Sequence, residues 1–191
     1  FGLANRPLAV SAAGALVRYL RDTQKVDLAH VRTVSFREHA DVLLVDPTTM
    51  DHLEVVEGAE GTREGSLLAE LDRTQTSMGA RLLRGWLLRP LARLEPILDR
   101  LDAVEELAFR TADRSRLRDA LGAVQDIERL VSRAALGTAT PRDLAALRRS
   151  LSAVPRVRAV LADCRAPLVL SLLGSLDDLA ADARVRVAAC V

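Results

Sequence analysis

The residues in this chain most apt for chemistry include three histidines, two cysteines and 26 carboxylates, and their spacing argues against most of it. His30, His39 and His52 are too scattered for a local metal-ligand motif, and Cys164 and Cys190 form no C-x-x-C pair. The adjacent pairs Glu105-Glu106 and Asp177-Asp178 would point about 100° apart on a helix, so neither pair can flank one substrate as acid and base. Asp51, Glu54 and Glu57 would share a face only if 51–57 were helical, and they read as surface positions. The run Glu57–Gly65 holds Gly58, Gly61 and Gly65 but no following Lys-Ser/Thr, and its acids would repel phosphate. It reads as a solvated connector, not a P-loop. No serine sits in a nucleophile elbow. Nothing in the residue spacing points to catalysis or to a cofactor.

Charge narrows the partners. The 27 bases and 26 acids leave a net charge of +1, without the basic excess of a domain that grips DNA by its phosphates. Every base but Lys25 is arginine. Arg81, Arg84 and Arg89, and again Arg148, Arg149, Arg156 and Arg158, make local clusters. Stacking aromatics are missing and acids are spread through the same segments, so these read as solvated helix faces. Glu106 with Arg110, and Asp126 with Arg129, have the spacing of ordinary surface helix pairs. No apolar run approaches the roughly 18 residues of a membrane span. The two cysteines fit a reducing, cytoplasmic setting, and the opening Phe1 suggests a piece of a longer polypeptide.

The elements that would position these groups are mainly helical. Apolar residues make up 49% of the chain and aromatics only 3%, so its core must be Leu, Val and Ala, which favours helices. Leu8–Asp22 is an Ala-rich helix whose Gly14 suggests close packing on a neighbour. Residues 31–36, 42–45 and 53–56 read as short strands, giving a small β element near the N-terminus. Asp46-Pro47 is a helix start. Helices follow at Ser66–Asp72, Ser77–Leu88 (closed by Pro90) and Leu94–Phe109, and the periodicity resumes from Val124 to Ala134, with Gly137 placed to stop it. Thr140-Pro141-Arg142-Asp143 opens another helix, which Pro155 should kink or restart. A last one runs from about Leu168. This divides the chain into 1–24, 25–65 and 66–191.

One segment is more specific than periodicity. In Ser66–Leu91, Thr76 is placed to cap the next helix, Asp72 and Arg73 to tie the preceding turn, Gly79 to admit another backbone, and Trp86 to supply a large core plate. Asp72, Thr74, Thr76, Gly79, Arg81, Leu82, Trp86, Leu87 and Pro90 together resemble the signature of the MutS family core domain. Ala12–Leu20, Asp46–Thr49, Leu53–Val55 (with His52 where that family usually has Asn), Arg100–Leu107, Asp126–Leu130 and Thr140–Leu144 extend the resemblance over nearly the whole chain.

The resemblance implies a multi-helical core fold: 1–24 as the end of a connector and an entry helix, 25–65 as the β element and loop, and 66–191 as the core leading into lever helices. It implies a structural role in DNA mismatch repair, coupling ATPase state to DNA clamping. ATP and magnesium would be held by an ATPase domain outside these residues. Mismatched duplex DNA would be met through flanking domains, with a homodimeric parent and MutL as further partners. A MutS paralogue in recombination control and a free-standing helical interaction domain are the alternative readings.

Overall fold

A computed structural model describes residues 6–24 and 41–176, which contain nine helices. The chain divides into two compact units, Phe1–Asp41 and Val42–Val191. In the first, α1 (Pro7–Gln24) opens on a proline, whose fixed φ and missing N–H suit a first helical position. Among the described residues of this unit, no atom comes within 4 Å of where a Cβ would stand at Gly14. The strand expected over 31–36 lies outside the described residues.

The second unit begins where two further strands were expected, and the described residues contain no sheet. Val42 makes one antiparallel bridge to Leu91, with the Leu43 N–H donating to the Pro90 carbonyl at 2.8 Å. Pro90 has no N–H to return, so the ladder cannot extend there. Asp46 then caps α2 (Pro47–His52) through the Thr49 N–H. Residues 53–56 are turns, with Glu54 at φ 49°. Their carbonyls are already committed: Glu54 and Val55 accept from the Leu67 and Leu68 N–H groups. The Ser66 hydroxyl accepts from Ala69, so the first N–H groups of α3 (Leu67–Leu71) are all satisfied. An apolar, β-branched run thus serves as a helix cap instead of a strand.

From α4 (Ser77–Leu88) onward the unit is a helical bundle. α5 (Leu94–Phe109) packs on α6 (Thr111–Gly122) and on α9 (Pro167–Ser175). α8 (Pro141–Leu161) packs on α6, on α7 (Ile127–Ala135) and on α9. The start of α8 is a complete capping box between Thr140 and Asp143. α7 ends in a Schellman turn: Thr138 N–H reaches Arg133 O, Gly137 N–H reaches Ala134 O, and Gly137 has φ 69°. α8 runs through Pro155 without restarting. The ring removes one backbone bond, but the packed turns on either side hold the helix together.

Among the described residues the fully buried core is thin and combines alanines with a few Leu and Val side chains. One cluster gathers Ala103, Cys164, Ala166 and Val169 between α5 and α9, and a second gathers Leu130, Ala146 and Leu147 between α7 and α8. Among the described residues, Ser66 and Ser150 are the side chains with no exposed surface at all. With so little apolar volume, helix orientation depends heavily on directional polar bonds.

Candidate functional site

The signature residues of Ser66–Leu91 form a turn and a helix tied to α6 and α7. Asp72, at the end of α3, accepts from both the Thr74 N–H (3.0 Å) and the Thr74 hydroxyl (2.7 Å), and is also bonded by Arg63. These bonds, those from Thr74 foremost, hold the Asp72 carboxyl down at about 2. Arg73 turns back onto the carbonyls of Ala69 and Asp72, and the Arg73 carbonyl accepts from Arg118 of α6 at 3.0 Å. Thr76 then caps α4 by accepting from the Gly79 N–H at 3.0 Å.

Gly79 has a different neighbour from the one its spacing suggested. A Cβ there would stand 3.1 Å from the Thr76 hydroxyl and 3.4 Å from Thr74 Cβ. The space it leaves is occupied by the capping threonines themselves, not by another backbone.

Arg81 is the organising cation. Its guanidinium makes a two-pronged contact with Asp126 (2.6 and 2.9 Å) and a further bond to Glu128 (2.6 Å). Asp126 also accepts from the Ser77 hydroxyl at 3.2 Å and, as the N-cap of α7, from the Arg129 N–H at 3.2 Å. The Arg81 bonds hold the Asp126 carboxyl well below the usual carboxylate range, and Asp126 and Glu128 raise Arg81 in turn. One carboxylate therefore starts α7 and fastens it to α4. The expected side-chain pairing of Asp126 with Arg129 is not what forms: Arg129 contributes its backbone.

Trp86 is not a core plate. It is 39% exposed, and the Arg100 guanidinium carbon of α5 lies 3.7 Å from its ring centroid. Leu82 is exposed, while Leu87 and Pro90 are half-buried. α4 presents more apolar surface than its contacts within this unit can cover, because α3 is the helix it packs on most closely.

A second junction lies outside the signature. Glu106 pairs with Arg110 at 3.2 Å as its spacing suggested. Its carboxylate also accepts from the Arg165 N–H (2.9 Å) and the Ala166 N–H (2.8 Å) just ahead of α9. Those two backbone bonds are the main reason its carboxyl is depressed. Arg110 reaches the Asp163 carbonyl at 2.6 Å, so both members of the pair bind the α8–α9 connector. The spacing exposed the local pair but could not reveal a partner 59 residues away.

None of these arrangements is built for reaction chemistry. Their carboxylates are held ionised by cap and ion-pair bonds, the opposite of what a general acid needs. Among the described residues no group of three His, Cys, Asp or Glu could hold a metal ion, and no helix is long and apolar enough to cross a membrane. A pocket between α2 and α4, lined by residues including Met50, Glu57 and Arg84, holds about 150 Å³. Small-molecule sites occupy roughly 300–1,000 Å³.

Comparison with known proteins gives this helix junction a context. The family model described as MutS domain III matches residues 48–187. A DNA mismatch repair protein MutS of Myxococcus xanthus is 51% identical over 94% of this chain and 20% of its own length. Relatives of the same name in Roseiflexus sp. and Symbiobacterium thermophilum are 46% and 44% identical over 87% and 93% of the chain, and 16% and 20% of their own lengths. The chain thus spans about a fifth of the relatives it matches. It belongs to the MutS family, as a mainly helical core domain of the DNA mismatch repair type.

Proposed function

We propose that this chain is the mechanical core of a mismatch-recognition protein, relaying the nucleotide state of an ATPase domain to a DNA clamp in the same longer polypeptide. The observation that carries the reading is the domain III match over 48–187, in a chain whose polar groups tie helices together instead of assembling a reactive site. The parent would bind mismatched duplex DNA through flanking domains, hold ATP and magnesium in its ATPase domain, act as a homodimer and engage MutL.

Two features support a relay. α8 has 21 residues, about 31 Å at roughly 1.5 Å per residue, and packs on three other helices, so a push at one end moves the group as a body. α5 leaves Leu94, Leu98, Leu101 and Val104 exposed at 46–67%, although its other side packs on α6 and α9. Such a stripe on a helix already in a bundle suits coverage by further domains.

The test uses the full-length parent carrying Arg81→Leu, which unfastens α4 from α7. ATP binding and mismatch binding, measured separately, are expected to persist, while ATP-driven release from mismatched DNA slows at least several-fold. Unchanged release kinetics would refute the relay through this junction.

A further inference from the structure

The near-zero net charge conceals an uneven distribution. Arg81, Arg110 and Arg133 are each engaged by carboxylates, so much of the acid is consumed at the helix junctions. The outer face of α8 receives none of it. Along the edge of its exposed side, next to the buried Ala146, Leu147, Ser150 and Ala153, Arg142, Arg149 and Arg156 follow one another at seven-residue intervals. Each step rises about 10.5 Å and turns only about 20° from its predecessor, and Arg148 stands roughly 100° further round the exposed side. All four are exposed, and none has a side-chain hydrogen bond or ion pair among the described residues. The other exposed positions along this side, Ser152, Pro155 and Ala159, are small or neutral. Asp143 is turned away into the capping box and bonded to Arg133, and Asp163 lies beyond the helix end.

We propose that this arginine row is a contact for the sugar–phosphate backbone of duplex DNA, indifferent to sequence and to mismatches. It deepens the mismatch-repair reading above and rests on it for the choice of DNA as the polyanion. Three features favour a duplex. A protein partner would be expected to find an apolar or aromatic anchor at the centre of the face, and this face has none. Single-stranded nucleic acid would be held by stacking aromatics, also absent. A duplex carries about one negative charge per 1.7 Å of axis, so a row about 21 Å long meets phosphates without needing a matched register. Arginine forks suit phosphate oxygens.

The test measures anisotropy of the 191-residue chain with labelled 30-base-pair duplexes, fully matched or carrying one mismatch, from 25 to 150 mM salt. Binding is expected at low salt, equal for the two duplexes, with log K falling against log salt at a slope of about −3 to −4 for four phosphate contacts. The triple variant R142A/R149A/R156A should bring that slope to about −1 and weaken binding at least tenfold at the lowest salt, while R84A/R89A leaves both unchanged. Circular dichroism of the triple variant must match the parent chain; alanine favours the helix, so no unfolding is expected. Absence of binding at 25 mM salt, or an unaltered slope in the folded triple variant, overturns the proposal. Tighter binding to polyglutamate than to duplex would assign the face to an acidic protein and overturn it equally. The relay test above reads ATP-driven release in the parent, so either result can fail without the other.

Discussion

Of two serines on one helix, the same substitution should destabilise at one and not at the other. Ser150 has no exposed surface; its hydroxyl accepts from the Gln125 N–H at 3.0 Å and donates to the Ala146 carbonyl at 2.9 Å. In Ser150→Ala, the Ala146 carbonyl keeps its ordinary helical partner, but the part-buried Gln125 N–H loses its acceptor. An orphaned donor of that kind costs about 1–3 kcal/mol. Alanine's better helix propensity returns up to about 0.5 kcal/mol, leaving a net loss of roughly 0.5–3 kcal/mol. Ser152 is exposed and bonds only the Arg148 carbonyl one turn back, so Ser152→Ala should be neutral or stabilising by up to about 0.5 kcal/mol. Urea unfolding followed at 222 nm separates the cases, because the midpoint should fall in one variant and hold or rise in the other with a common slope. For a chain of this size each kcal/mol corresponds to roughly 2–4 °C in Tm. The stake extends beyond stability, since Gln125 immediately precedes the Asp126 that fastens α7 to α4. A Ser150→Ala midpoint at or above that of the parent chain would refute the claim that the hydroxyl anchors this connector.

Trp86 is the sole tryptophan, so indole fluorescence reports on this site alone; at 39% exposure it should be quenched by acrylamide in the folded chain, and a shielded, blue emission would contradict the exposed placement. The Asp72 carboxyl, depressed from 3.8 to about 2, contributes stability that is complete above pH 4 and lost as pH falls toward 2. Asp72→Asn should therefore lie below the parent chain at pH 6 and approach it near pH 2, and a gap independent of pH would tell against ionisation as the cause. Gly137 has φ 69°, so Gly137→Ala should cost about 1–2 kcal/mol. Gly85→Ala, inside α4 with open space around it, should instead stabilise by roughly 0.5–1 kcal/mol. Equal thermal shifts in those two variants would mean that the left-handed turn after α7 is not under constraint.

Much of the helical fold could be read from local signals that act within one turn. Asp46-Pro47, Ser66, Thr76, Thr140-Pro141 and Gly137 all mark helix ends where the structure has them, because capping depends on neighbours three or four residues away. α6 was not anticipated. Its sequence, TADRSRLRDALG, is mostly polar, and its place comes from packing on α5 and α8, which periodicity cannot register. The strands at 42–45 and 53–56 were misread for a related reason: β-branched composition reports a preference, while a ladder needs a partner with free N–H groups, and Pro90 has none. The site was legible in its residue types and not in its pairings. Arg81 stood out within the signature segment, but its carboxylate lies 45 residues away. The one local hint was an aspartate directly before Ile127, the N-cap position of α7.

The arrangement around Arg81 also bears on what such a junction is for. The Arg81 side chain is 51% exposed, and ion pairs open to solvent add little to stability because water screens them and ordering two long side chains costs entropy. Stability alone would be served better by apolar contact between α4 and α7. What a two-pronged guanidinium–carboxylate contact supplies is direction: it fixes the angle as well as the distance between the groups it joins. Asp126 is at once that partner and the cap of α7, so in the proposed relay a displacement of α4 would reach the first turn of α7, and from there α8, on which α7 packs. Arg118 to the Arg73 carbonyl and Glu106 to the start of α9 repeat the pattern at other joints. In the proposed relay, a bundle jointed by directional bonds at its helix ends would pass orientation on to the domains that flank it in the parent.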